Sequence, residues 1–210
     1  VLSTTPRHIR LYAVIAASEA QHFRDATRGP KVIEWGVLAA VTGKPEEETA
    51  RAALRHARAV GRAFETCSSV VPFRVGVSIE SEEALCRLLE ENQKTLSAHL
   101  ARFTGQAEMA LKIKLPEQSP GTPAWLPLDL SRVRALASRR ENICEAFKRC
   151  PGGRIFEGSY LLPREDVEAF WCAVEALRHA SVAPPLFGSG PWAPYSFCNF
   201  TLRKEKVCAA

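Results

Sequence analysis

Ile9-Arg10-Leu11-Tyr12-Ala13-Val14-Ile15-Ala16-Ala17 is apolar almost throughout and mixes β-branched, aliphatic and aromatic side chains. A continuous apolar run of this length, without polar alternation, reads as a central strand covered on both faces. It is far shorter than the ~20 residues that a membrane span requires. Its neighbours follow in order. Gly29-Pro30 is a turn, and 31–35 and 37–42 read as two short strands around Gly36, either a hairpin or one bent strand. Pro45 stands at a first helical position, with Glu46, Glu47 and Glu48 where a helix dipole favours acids. Ala50, Ala53, Leu54, Ala57 and Val60 recur at helical spacing as one narrow face, and Gly61 is placed to end that helix.

Residues 69–79 form a further strand region, bent at Pro72 and Gly76, and the proline argues for a strand end, an edge or a bulge. Ser81 caps a helix whose stripe is Leu85, Leu88, Leu89, Leu96, Leu100 and Phe103, stopped at Gly105. Ala107, Met109, Leu111, Ile113 and Leu115 then alternate with Glu108, Lys112 and Lys114. Such a strand has one wet face, so it lies at a sheet edge or in an antiparallel sheet with one open side. The order strand, two short strands, helix, strand, helix, strand is close to a ferredoxin-like split βαβ plan with an extra hairpin. Residues 116–128 are proline-rich and read as a linker. The fold class expected is therefore α+β in two domains: 1–115 as a modified ferredoxin-like domain and 129–210 as a smaller, helix-rich α+β unit. In the second unit 130–149 reads as a helix, 154–162 as a strand, and Pro163 opens another helix with Val167, Phe170, Trp171, Val174 and Leu177 inward. A short Leu186-Phe187 strand and a basic tail, 203–206, close the chain.

With 210 residues and 46% apolar content the chain is long and apolar enough to bury a core. The net charge of +5 is mild; it permits acidic partners without demanding nucleic acid. The seven cysteines show no CxxC spacing and read as reduced thiols. The five histidines lie on different elements without metal-ligand spacing, so no metal is expected. Gly43-Lys44-Pro45 lacks the preceding glycine and the hydroxyl residue of a phosphate loop. Gly188-Ser189-Gly190 precedes a proline rather than a helix, and neither GxSxG nor HExxH occurs. No catalytic residue and no cofactor are expected. Arg74, between Phe73 and Val75, must face an open side or pair with an acid; it is either an edge or ion-paired arginine of purely structural role or a contact for a partner's carboxylate. Nucleic-acid binding is disfavoured, because the strand at 74–77 lacks the aromatic pair of a base-stacking platform.

Two motifs carry more. Gly190-Pro191-Trp192-Ala193-Pro194-Tyr195-Ser196-Phe197 sets three aromatics on a path that cannot be the interior of a helix or of a central strand. Val70-Val71-Pro72-Phe73-Arg74-Val75-Gly76 is a strand turn, with His56 on the helix before it. Together with Leu11-Tyr12-Ala13-Val14 and the Gly29-Pro30 to Val41 stretch, they resemble the gas vesicle protein F/L family over residues 10–200. Ala193 and Val75 are mild departures from the family's usual proline and phenylalanine. The resemblance implies two α+β domains, the first ferredoxin-like. It implies an accessory or minor structural role, contact with the main shell protein and other accessory proteins, and a place on gas vesicles and in the cytoplasm. It implies no catalysis, no nucleic acid and no membrane insertion. The candidate partner contacts are Pro72, Phe73, Arg74 and Gly76 in one motif and Gly190, Pro191, Trp192, Pro194, Tyr195 and Phe197 in the other. Trp192, Tyr195 and Phe197 are expected to help close the contact between the two units. The rival class is a small ligand-binding protein or enzyme on a ferredoxin-like scaffold, which would need convergent polar groups. An RNA-binding module is the weaker alternative.

Overall fold

The computed structural model describes residues 8–44, 49–115, 128–179 and 184–198. The helix start at 45–48, the proline-rich linker through 127 and the basic tail at 203–206 lie outside the described residues. The fold is α+β with two antiparallel sheets. The chain's contacts divide into one unit of 1–104 with 193–210 and another of 105–192. The division thus comes eleven residues before the end at 115 suggested by the proline run, and residues 193–198 return to the first unit.

The first unit runs β1 (Ile9–Ala16), α1 (Ala20–Ala26), β2 (Lys31–Trp35), β3 (Leu38–Gly43), α2 (Ala50–Thr66), β4 (Val71–Pro72), β5 (Ser78–Ile79), α3 (Glu82–Glu91) and α4 (Gln93–Phe103). Its sheet is ordered β2-β3-β1-β4, with β5 also on β1. This is the βαββαβ ferredoxin-like arrangement with the last strand split in two. Leu11 through Ile15 are all buried, and because successive strand side chains point to opposite faces, β1 is covered on both. The hairpin turns at Gly36, whose φ of 58° suits glycine, and Trp35 opposes Leu38.

Four local readings change. The seven-residue α1, not anticipated, buries only Ala20 and Phe23, too short a stripe to show periodicity. α2 does not stop at Gly61 but runs to Thr66, and it buries Ala52, His56, Ala59, Val60, Ala63 and Phe64. Leu54 stays exposed. The buried face is rotated because a histidine, polar by type, is one of its central members. The long third helix is two, α3 and α4, parted at Asn92, whose side-chain amide donates to the Leu88 carbonyl at 2.8 Å.

The second unit comprises β6 (Gln106–Leu115), α5 (Ser131–Leu136), β7 (Ile143–Cys150), β8 (Gly153–Pro163), α6 (Val167–Arg178) and β9 (Leu186–Trp192), its sheet ordered β7-β8-β6-β9. β6 lies inside the sheet, so its wet face is the open side of an antiparallel sheet, where Lys112 bonds Glu157 at 3.0 Å. Its other face, Met109, Leu111 and Ile113, joins Phe156, Tyr160, Phe170 and Val174 in the core. The helix expected over 130–149 is corrected: α5 ends at Leu136, Ser138 takes φ 58°, and 143–150 is a strand. Ile143 and Phe147 oppose Tyr160 and Phe156 across β8, a cross-strand pairing that outweighs the helical spacing seen in one sequence. Of the basic residues from Arg132 to Arg149, Arg132 and Arg134 accordingly fall on α5, Lys148 and Arg149 on β7, and Arg139 and Arg140 between them.

Candidate functional site

The first motif is a strand interrupted by a turn. Pro72 pairs with Ala13 at the edge of the first sheet, where its missing N–H breaks no ladder. The Phe73 N–H donates to the Tyr12 carbonyl at 2.9 Å, and the Leu11 N–H to the Val77 carbonyl at 3.1 Å. Between these points the chain loops out through Arg74, Val75 and Gly76, closed by a 3.4 Å bond from the Val77 N–H to the Arg74 carbonyl, with Gly76 at φ 94°. Val70 to Phe73 are buried, whereas Val75 is 51% exposed. The Arg74 side chain is exposed and has no ion pair among the described residues. The ion pair expected as one form of the structural reading is thus not seen among the described residues, while an exposed arginine fits its edge form.

His56 is the anchor. It is 4% exposed, its ring meets Tyr12 edge-on at 5.3 Å, and its Nε2–H donates to the Phe73 carbonyl at 2.8 Å. Burial pushes the imidazole below its ordinary pKa; the bond to Phe73 opposes that shift and nearby Arg10 adds to it. The two strand-side bonds of Phe73, one from each direction, fix where the Arg74 turn begins. Sequence reading placed His56 beside the motif but saw no partner, because the partner is a backbone carbonyl 17 residues away.

The second motif begins inside β9. Gly190 has φ 127°, and a Cβ there would stand 2.7 Å from Met109 Sδ and 2.9 Å from the Glu108 carbonyl oxygen. No other residue fits this approach. Pro191 follows through a cis peptide on the edge strand of the second sheet. Trp192 opposes Glu108, is 53% exposed, and its indole N–H donates to Ser189 Oγ at 3.3 Å. The chain then passes to the first unit. Ala193 and Phe197 are buried there, and the Arg102 guanidinium lies 5.9 Å from the Phe197 ring centre. Pro194 is buried and Tyr195 is partly exposed.

Three exposed aromatics, Trp35, Phe147 and Phe187, are not marked as contacts by the sequence. Phe187 on β9 is 66% exposed, on the same edge strand as Trp192. Alternation alone could not mark it, since the strand looked only two residues long. Among the described residues no group of three or more histidine, cysteine, aspartate or glutamate side chains is placed to hold a metal. No helix among them is long and apolar enough to cross a membrane. The first unit also carries a cleft of about 770 Å³ between α2 and the turn at Gly29-Pro30.

Both motifs thus sit in a two-unit α+β frame, and that frame has counterparts. The crystal structure of the gas vesicle protein GvpF from Anabaena sp. PCC7120 superposes with a TM-score of 0.76 at 14% identity, covering 94% of this chain and 98% of that one. The GvpF structure from Microcystis aeruginosa gives 0.70 at 16%, covering 92% and 99%. At such identities the likeness speaks for the fold alone. In sequence, gas vesicle protein F2 of Halobacterium salinarum is 25% identical over 142 residues, 66% of this chain and 63% of that protein, so less than two thirds of the relative's length is matched. The family model described as Gas vesicle synthesis protein GvpL/GvpF matches residues 9–126 and 127–199, a span that takes in both motifs, and on that match the chain belongs to the GvpL/GvpF family of gas vesicle synthesis proteins.

Proposed function

We propose that this chain serves gas vesicle formation as an accessory or minor structural protein, binding the main shell protein and other accessory proteins during assembly or nucleation, without a catalytic step. Its place is the vesicle shell and the cytoplasm around it, and it needs no cofactor, nucleic acid or membrane for the task. The physical logic is that a wall subunit with an apolar gas-facing side exposes, before assembly, surface that aggregates. A protein offering an open strand edge and exposed aromatics can hold such a subunit and present it in order.

The observation that best supports this reading is the β9 edge. Among the described residues it combines strand backbone unpaired on one side with two large exposed aromatics, Phe187 and Trp192. The Arg74-Val75 turn is a second displayed element, with a cation ready for a carboxylate. The buried members of the motifs, Pro72, Phe73, Gly190 and Phe197, position these tips rather than touch the partner.

The experiment is co-purification of the shell protein and the accessory proteins from vesicle-forming cells. The wild-type chain is expected to bring down the shell protein, and F187S/W192A to lose most of it while melting normally. Equal capture by F187S/W192A and by R74A would remove both surfaces from the reading.

A further inference from the structure

The cleft in the first unit has a composition that wall assembly does not call for. Among the described residues its lining contains five cations, Arg28, Lys44, Arg55, Arg58 and Arg62, and no acid. They come from three places: the turn after α1, the end of β3, and one face of α2. Arg62 is bonded to exposed Glu65 at 3.1 Å, and Arg55 has an interaction of its own. Arg28, Lys44 and Arg58 have no ion pair among the described residues. Like charges brought to one cleft repel, and an arriving anion relieves that repulsion.

The inner wall supplies a second, independent signal. Tyr12 lines the cleft but is only 6% exposed. Its hydroxyl lies against Gly43, so closely that a Cβ on Gly43 would strike it, and Gly43 lines the same cleft. That hydroxyl has no hydrogen-bond partner among the described residues. The buried polar atom without a partner on this lining is Thr27 Oγ1, and such an atom carries a cost that a ligand oxygen can remove. Ala26, Pro30 and Ala59 complete the wall with apolar surface.

We propose that this cleft is a binding site for a small molecule bearing two or more linked phosphate groups, held by Arg28, Lys44 and Arg58 with the Tyr12 hydroxyl donating to a phosphate oxygen. The volume, about 770 Å³, falls in the range of small-molecule sites. Guanidinium forks match phosphate oxygens bidentately. A linked di- or triphosphate concentrates several negative charges over a few ångströms, as three convergent cations require. An acidic peptide would have to order several separate side chains to do the same. The site uses no glycine loop and no helix N-terminus, which is why no phosphate-binding motif marks it in the sequence. The inference stands apart from the assembly reading and does not rest on it.

The test is titration calorimetry with inorganic triphosphate, with hexaglutamate and sulfate as competitors, on the whole protein at 0.15 M salt. Triphosphate is expected to bind. R58A and R28A/K44A are expected to weaken it by about tenfold or more, the loss typical of a charge-assisted hydrogen bond. Y12F should weaken it several-fold. The substituted arginines and lysine are exposed, so these variants keep the fold, and a melting curve of each verifies that. R132A, which removes an equal charge in the other unit, should bind as wild type. Binding that R58A and R28A/K44A do not weaken, or that sulfate displaces equally well, overturns the proposal. Hexaglutamate outcompeting triphosphate also overturns it, in favour of an acidic segment of a partner protein. Glu46, Glu47 and Glu48 follow Lys44 in the chain. If triphosphate binds only to E46Q/E47Q/E48Q, the chain's own acids occupy the site and the proposal fails for the native protein.

Discussion

Segments 70–76 and 190–197 each join a buried anchor to a displayed tip, but the anchors hold by different means. The first is held by directed polar bonds: the Phe73 peptide is gripped by Tyr12 through its N–H and by His56 through its carbonyl. The second is held by lack of space, Gly190 passing where Met109 and the Glu108 carbonyl leave no room for a side chain. A polar anchor can be weakened by protons, and a steric one cannot. The difference teaches that a shared role of presenting a tip needs no shared chemistry beneath it, and that the two halves can be disturbed separately.

The largest disturbance falls on the steric anchor. Gly190→Ala combines a left-handed φ with overpacking against backbone, and is expected to cost about 2–4 kcal/mol of folding stability. Chemical denaturation measures it; an unchanged midpoint would mean that β9 shifts freely and that the anchor is not steric.

His56→Ala comes next. It removes a buried ring and leaves the Phe73 carbonyl unpaired, an expected cost of about 2–3 kcal/mol. The polar anchor also has a pH signature. Burial lowers the folded imidazole's pKa, so below the ordinary value of about 6.5 the unfolded chain binds the proton and the folded one resists it. Stability from this group is therefore complete above that pH and declines as pH falls through it. The decline should vanish in His56→Ala and persist in Gly190→Ala. If both variants keep it, another group causes it.

A carboxylate in the second unit provides the contrast. Burial raises the Glu145 pKa, but hydrogen bonds from Arg134, at 2.9 and 2.8 Å, and from the Tyr160 hydroxyl, at 2.7 Å, outweigh it and hold the carboxyl below its usual range. Its contribution is present above the ordinary glutamate value of about 4.3 and is lost as pH falls through the depressed folded value. The acid response of this unit thus lies lower than that of His56. Tyr160→Phe, which removes from a buried position one of the three hydrogen bonds described to the Glu145 carboxylate, should cost about 1–3 kcal/mol and shift only the lower limb. A change in the upper limb would couple the two regions.

The same two segments show what the sequence made legible. β1 and β6 could be recognised because burial on two faces and burial on one write different periodicities. The strand order of the first unit was legible only in part, since α1 leaves too short a stripe to read and β6 belongs to the second unit; Pro72 does stand at an edge, one of the three places its type allows. The anchors were harder to see. His56 interrupts the apolar pattern of α2, so the stripe was drawn on the wrong side and Leu54 was turned inward. β7 was hidden because Val133, Leu136, Cys144 and Phe147 fit helical spacing, and only pairing with β8 selects the strand. The cation cleft joins residues from Arg28 to Arg62 across three elements, and no window on the sequence brings them together.

The smallest stability effects belong to the tips, where the functional effects should be greatest. Trp192→Ala removes a half-exposed ring and should cost about 1 kcal/mol or less. Arg74→Ala removes an exposed cation with no ion pair among the described residues, and should leave the melting temperature where it was. With Trp192 53% exposed, its loss should stay well below that of the buried His56. The comparison becomes sharpest in a capture assay against the shell protein at two salt concentrations. A contact made by Arg74 to a carboxylate is screened, so the share of capture lost in Arg74→Ala should shrink as salt rises. A contact made by Trp192 and Phe187 is apolar, so the share lost in their variants should hold or grow. If both losses respond to salt alike, the two tips do not meet the partner through different chemistry, and the distinction drawn from their anchors ends at the protein's own surface.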